Sequence, residues 1–301
     1  MTFMKKIFVG SSVVLLVLIV GYLLQRSYNE KFIRNSVHTF SLSKKERNSL
    51  NEFFCELLFQ DGGAYTLHGT KPLTFSLILK PLTKDELEEE EQYLNSLSKE
   101  KREKISQLQP RFDHRQNCLN WEKIKPRFTI NQYLFGKFTL DKSYDVLLFL
   151  NIEMTIRTLI KYYEDFKRTL GYDFDPFQIV FDVENPNSKF WNTIARDGHA
   201  LLGILLGYGQ ANSWFFEWNL KYEEANNPMG NFIKHMHSKF YDPKPILFST
   251  SRHFSLPSFR SYGAYSDDQK LVNQYKQERR KIKSLYKWHD PVDVALTWLT
   301  R

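Results

Sequence analysis

The stretch TINQYLFGKFTLDKSYDVLLFLNIEMTIRTLIKYYEDFKRTL, residues 129–170, decides the fold class of this chain. Its first part alternates apolar and polar residues through YLFGKFTL, the period of a half-buried strand. Thr129 to Leu140 therefore reads as a strand pair or as one strand bent around Gly136, and Tyr144 to Leu150 is a second apolar run. From Ile152 to Leu170 the period changes: Ile156, Ile160, Tyr163 and Phe166 recur at helical intervals, and Gly171 is positioned as the C-cap. Strand follows strand and only then helix, without the regular alternation that builds a doubly wound sheet.

The same reading extends in both directions. Ser43 and Glu46 have the spacing of a capping box, and Leu50, Phe53, Phe54, Leu57 and Leu58 follow on one helical face until Asp61, Gly62 and Gly63 stop the helix. Ala64 to Leu67 and Leu73 to Leu79 read as short strands joined as a hairpin or through an irregular connection. The charged run at residues 83–108, acidic toward its start and basic toward its end, reads as an exposed helix. Phe177 to Val183 is read as a strand in preference to a helix start. Ser188 to Gly209 reads as two helices broken at Asp197 and Gly198, the second capped by Asp197, with Gly203 and Gly207 spaced to admit a close neighbour. Trp214 to Glu224 forms a further helix behind Asn212 and Ser213, and residues 267–300 are predominantly helical. The expected class is α+β, a mostly helical domain with a few short antiparallel strands, occupying residues 30–301 as one soluble unit.

Residues 1–29 are expected to be a membrane anchor. Lys5 and Lys6 precede IFVGSSVVLLVLIVGYLL, residues 7–24, which as a helix would be about 27 Å long against a hydrocarbon core of about 30 Å. A cleaved secretory signal shares the basic start and apolar core. The length of the core, and the lack of small residues at cleavage spacing in YLLQRSYNEK, favour an uncleaved signal-anchor. Lys5 and Lys6 on one side face Arg26, Lys31 and Arg34 on the other, so the charge rule favours an extracytoplasmic domain only weakly.

Aromatic residues make up 16% of the chain, which rules out a solvating tail, and the net charge of +8 is a mild excess of 42 basic over 34 acidic residues. Nucleic acid is not an expected partner, because no motif for it is present. Lys276, Arg279, Arg280, Lys281, Lys283 and Lys287 form a basic run that reads as a solvated helix face or as a surface for anionic lipid headgroups. Cys55 and Cys118, the two cysteines, allow one disulfide or two thiols.

YTLHGTKPLTFS, residues 65–76, and ALLGILLGYGQANSWFF, residues 200–216, resemble a pair of patterns in uncharacterised proteins of intracellular bacteria of the chlamydia and legionella kind. The resemblance covers those stretches and, loosely, the order of elements between them. It implies no established activity and carries over no catalytic residue.

The chemistry of individual residues offers several candidates. His68, Thr70 and Lys71 beside Gly69 combine an imidazole, a hydroxyl and a cation in a loop that can hold an anion, with Gln210 as a further ligand-binding candidate. An ordinary turn before Pro72 explains the same residues. Gly207 to Asn212 lacks the phosphate-loop spacing and reads as one helix end followed by another helix start. His235 and His237, with Asp242 and His253, are the nearest approach to a metal pattern, but NFIKHMHSKFY reads as helical, where the two rings diverge. Asp182 and Glu184 close an apolar run where acid–base chemistry can use them, with His199 near by if the next helix folds back; turn formation before Asn185 and Pro186 is the simpler account. The expectation is an envelope protein that binds a ligand or partner without catalysis and without a cofactor. The alternative is an envelope hydrolase that works by acid–base or metal-assisted chemistry with some of His68, Asp182 and His199.

Overall fold

The computed structural model describes residues 37–80, 114–141, 144–224, 266–287 and 289–301, with isolated positions between 88 and 99 and between 239 and 261. The anchor at 7–24, most of the charged run at 83–108, and His235, His237, Asp242 and His253 lie outside the described residues. No helix among those described is long and apolar enough to cross a membrane.

The architecture is α+β: a three-stranded antiparallel sheet, with strands in the order β1-β3-β2, has helices on both faces. β1 is Leu73–Leu79, β2 Tyr133–Thr139 and β3 Tyr144–Asn151. Side chains alternate across a strand, and the register aligns Leu73 and Leu134 with Leu150. One face consequently carries Leu73, Phe138, Val146, Leu148 and Leu150, and the other Ile78, Tyr133, Phe135, Leu147 and Phe149; each set belongs to a separate apolar cluster. This explains why VLLFL in β3 is apolar at every position, since a central strand covered on both faces has no solvent side.

The second face is covered first in chain order. α1 (Lys44–Phe54) begins at the capping box read from sequence: the Ser43 hydroxyl accepts from the Glu46 N–H at 3.2 Å, and the Glu46 carboxylate accepts from the Ser43 N–H at 2.8 Å. It runs on as a π-helical turn, Cys55–Gln60, before Gly62 reverses the chain at φ 74°. Residues 63–68 then form a helix, α2 (Gly63–His68), and not the strand expected for Ala64 to Leu67. A short apolar run fits either state, and burial of Ala64, Tyr65 and Leu67 against the helical layer selects the helix. α3 (His114–Ile124) contributes Trp121, wholly buried among Phe53, Phe54 and Phe135 at ring separations of 5.3, 5.6 and 5.2 Å.

The first face is covered by the helices after β3. The single helix expected over Ile152 to Leu170 is two, α4 (Ile152–Lys161) and α5 (Tyr163–Leu170), because Tyr162 leaves helical backbone at φ −113°, ψ 24°. Gly171 ends α5 at φ 75°, as its position predicted. The expected strand at Phe177 to Val183 is instead α6 (Pro176–Phe181) and a 3-10 turn, Asp182–Glu184. Asp175 caps this helix by accepting from the Phe177 N–H at 2.8 Å, and Pro176 occupies the first turn, where its missing N–H costs nothing.

Next come α7 (Lys189–Arg196) and α8 (His199–Leu205), separated at Asp197 and Gly198 as read, although Asp197 does not cap α8. The orphan N–H of Ala200 is met at 2.9 Å by the Glu217 carboxylate of α9 (Gln210–Glu224), a helix that starts four residues before the expected Trp214. A second small sheet pairs β4 (Lys239–Phe240) with β5 (Arg260–Ser261).

α10 (Ser266–Tyr286) and α11 (Pro291–Leu299) complete the second face. Val272, Tyr275, Ile282, Leu285 and Tyr286 of α10 face the interior, whereas Arg280, Lys281 and Lys283 of the basic run are exposed. α11 is almost wholly buried and also holds the first described residues of the chain. The His38 N–H donates to Thr297 Oγ1 at 2.9 Å, the Phe40 N–H donates to Asp293 at 3.2 Å, and Arg47 binds the Phe40 carbonyl, Asp290 and Asp293.

Candidate functional site

His68 ends α2 with Nε2 at 2.9 Å from the Tyr286 hydroxyl, and its ring meets the edges of Tyr286 and Trp298 at 5.4 and 5.2 Å. Burial, helped by the positive charge of Arg301, pushes the imidazole down to about 3, so it is neutral at ordinary pH. Its buried Nδ1 meets no hydrogen-bond partner among the described residues.

Two residues on, the exposed Thr70 hydroxyl donates to Glu278 Oε1 at 2.7 Å and accepts from Gln274, closing the loop against α10. Lys71 points inward and is only 2% exposed; its Nζ donates to the Asp61 carbonyl and to Thr74 Oγ1, both at 3.3 Å. Burial pushes the ammonium down to about 8 against the opposing pull of Asp61. Around it, Thr66 and Thr74 share a hydrogen bond of 2.8 Å, and the Ser76 hydroxyl donates to the Asp61 carboxylate. The His68–Lys71 segment is thus a structural turn with a buried cation, not an open anion cradle.

The two stretches 65–76 and 200–216 do meet. A Cβ on Gly207, which has φ 77°, would lie 3.7 Å from Lys71 Cγ, 3.5 Å from Pro72 Cδ and only 2.3 Å from the Tyr275 hydroxyl, which donates to the Gly207 carbonyl at 2.9 Å. Gly203 likewise admits Ser213, whose Oγ would sit 2.6 Å from a Cβ there. The close approaches expected of these glycines are present, and they serve packing.

The remaining candidates are dispersed. Asp182, in the 3-10 turn, accepts from the Asn185 side chain at 2.9 Å and from its N–H through the carbonyl at 3.1 Å, the arrangement of a turn. His199 is exposed at the start of α8, and Gln210 donates to Asp165 across to α5. His68, Asp182 and His199 share no hydrogen-bond partner with one another. Among the described residues no cluster of three His, Cys, Asp or Glu side chains that could hold a metal occurs. Cys55 and Cys118 form no disulfide; burial, with the nearby charge of Glu56, pushes the Cys118 thiol up to about 12.

Among the described residues, one feature with the form of a binding site lies elsewhere. A groove of about 900 Å³ opens along β2, walled on one side by the end of α3 and on the other by the 182–184 turn and α7. Phe135, Phe138 and Pro186 supply its apolar surface, and seven charged side chains ring it: Lys125, Lys137, Lys189 and Arg196 against Glu122, Asp145 and Glu184. The charges are organised. Asp145 is shared by Lys80 and Lys137 at 3.3 Å each and accepts from Thr139 at 3.1 Å; burial alone would raise its carboxyl, but the Thr139 hydroxyl and the two ammonium groups together hold it below its ordinary value. Lys125 lies 3.9 Å from Glu122 and 3.7 Å from Glu184. The α7 wall differs: Lys189 stands 4.6 Å over the Tyr172 ring and Arg196 donates to the Thr139 carbonyl at 3.0 Å, and neither meets a carboxylate among the described residues.

Of these groove residues, sequence reasoning singled out only Glu184, and for a different role. The others lie in four separate segments between residues 122 and 196, and nothing local joins them. No family model matches the chain, and no curated protein or solved structure is significantly similar to it.

Proposed function

We propose that this chain is a membrane-tethered envelope protein whose globular part binds a partner without catalysis, held by the apolar stretch 7–24 on the extracytoplasmic side. The observation that carries the reading is the groove along β2: it is open to solvent, has the volume of a ligand site, and combines an apolar floor with a charged rim. The separate settings of His68, Asp182 and His199 remove the support for the hydrolase alternative, which needed them in one pocket.

Two measurements test the reading. Alkaline carbonate extraction should leave the full chain in the membrane pellet and release a chain lacking residues 1–29; release of the full chain overturns the tether. A photocrosslinking residue at Asn192, inside the groove, should give discrete adducts in native membranes that disappear on Lys189→Glu with Arg196→Glu. Adducts identical to those from a probe at exposed Arg157, or indifferent to charge reversal, overturn the groove as the binding surface.

A further inference from the structure

The groove follows a strand edge whose hydrogen-bonding capacity is unspent. In an antiparallel ladder the N–H and C=O of one residue point to the same side, and successive residues point to opposite sides. Two bonds fix the phase here: the Asn151 N–H donates to the Pro72 carbonyl at 2.9 Å on the β1 side, and the Ile152 N–H to the Gln132 carbonyl at 3.0 Å on the β2 side. With the pairs Leu134–Leu150, Gly136–Leu148 and Phe138–Val146, the backbone groups of Leu134, Gly136 and Phe138 turn toward β3. Those of Phe135, Lys137 and Thr139 turn outward, and these three residues line the groove. Arg196 takes the Thr139 carbonyl, whereas among the described residues no protein group pairs with the outward N–H or C=O of Phe135 or Lys137.

A lysine on an open edge and an arginine on one of its carbonyls are devices that also protect sheets against chance pairing. Protection by covering would, however, place an element beyond the edge. Here the 182–184 turn lies over the sheet face, with the Val183 carbonyl 2.4 Å from where a Gly136 Cβ would stand, and the edge itself opens into the groove. The walls also differ in charge. On the α3 side Lys125 has carboxylates within 4 Å, whereas Lys189 and Arg196 on α7 have none. An extended chain laid along β2 sends alternate side chains to the two faces of the sheet, so one set would meet the α7 cations and the other the Phe135 side. A second copy of this chain fits poorly, since symmetric pairing of two β2 strands about Lys137 sets like charges opposite each other.

Resting on the binding reading above, we propose that the outer edge of β2 is a strand-addition site for an extended acidic segment of a partner polypeptide, with its backbone on Phe135 and Lys137 and its carboxylates toward Lys189 and Arg196.

The experiment uses the full chain in lipid nanodiscs and a fluorescent, end-blocked octapeptide of alternating glutamate and valine. The peptide should bind. N-methylation of alternate residues should weaken binding by about tenfold or more in one phase and leave it unchanged in the other, because an added strand bonds through one edge only. Replacing its glutamates by lysine should abolish binding, and Lys189→Glu with Arg196→Glu should weaken the parent peptide by about tenfold or more. Amide exchange gives an internal control: Phe135 and Lys137 should gain protection on binding, whereas Gly136 and Phe138, already bonded to β3, should not change.

Equal tolerance of methylation in both phases overturns strand addition, as does binding without new protection at Phe135 and Lys137. Concentration-dependent dimerisation that the peptide competes away assigns the edge to a second copy and overturns the partner. Failure of the peptide while groove crosslinks at Asn192 persist removes this inference and leaves the binding reading standing; loss of both removes both.

Discussion

The helical layers on the two faces of the sheet bury comparable apolar material but treat ionisable groups differently. On the side of α1, α2, α10 and α11, titratable groups are drawn inside: neutral His68, Lys71 held near Asp61, and Tyr275 and Tyr286, whose phenols burial raises well above their usual range. On the side of α4 to α8, the interior around Phe138, Val146, Phe166 and Trp191 is apolar, and the charges this side gives to the groove, Glu184, Lys189 and Arg196, stand on its rim. Polar groups inside a fold couple its stability to pH, and charges on a rim tune what it attracts. The first layer is built to hold one structure and the second to offer a surface.

The comparison is broken most severely at Trp121. Trp121→Ala should cost about 3–5 kcal/mol in urea unfolding, because the cavity left among Phe53, Phe54 and Phe135 lies where three elements meet. A loss below about 1 kcal/mol would show that the aromatic cluster is not the keystone of this layer.

Next comes Lys71. Lys71→Ala should destabilise by about 3 kcal/mol by leaving a cavity, whereas Lys71→Met, which fills that space, should be close to neutral because the burial cost of the ammonium offsets the pull of Asp61. Since the folded state lowers this pKa to about 8, the unfolded chain binds more protons between there and the ordinary lysine value. Wild-type stability should therefore rise with pH through that window, and the rise should vanish in Lys71→Met.

His68 gives a signal of the same sign at lower pH, over a wider window. Between the ordinary histidine value of about 6.5 and the folded value of about 3, the unfolded chain again holds the extra proton. Stability should fall on acidification by up to about 1.4 kcal/mol per pH unit, a slope that His68→Gln flattens in chemical denaturation at pH 4–7. At the small end, Lys189→Glu with Arg196→Glu should change stability by no more than about 0.5 kcal/mol while altering what the groove binds. A large stability loss there would erase the distinction between the two layers.

How much of this was legible in the sequence depended on whether the signal was local. Ser43 with Glu46, Gly171, and the runs Leu73–Leu79 and Tyr144–Leu150 carry their structure in neighbouring residues, and the sequence alone shows it. Ala64–Leu67 and Phe177–Val183 read as strands in the sequence because a short apolar run has no period of its own. For the second of these, Asp175 and Pro176 held the correcting signal, a cap followed by a residue suited to the first helical turn. The groove was not legible at all. Which side of β2 its backbone groups face follows from its register with β3, and the charges that ring it come together only once α3, β2 and α7 have folded around that edge. His68 and Lys71 misled for the opposite reason: residue types suited to chemistry occupy positions whose partners, Tyr286 and Asp61, keep them in structural roles.

The clasp between residues 38–47 and α11 has a consequence for the order of events during synthesis. That segment is held by Asp290, Asp293 and Thr297, with sequence separations of 246 to 259 residues in its hydrogen bonds. That clasp cannot shut until the ribosome has released α11. Until then the aromatic core lacks its α11 cover, so a truncation before Pro291 would leave that core open to water.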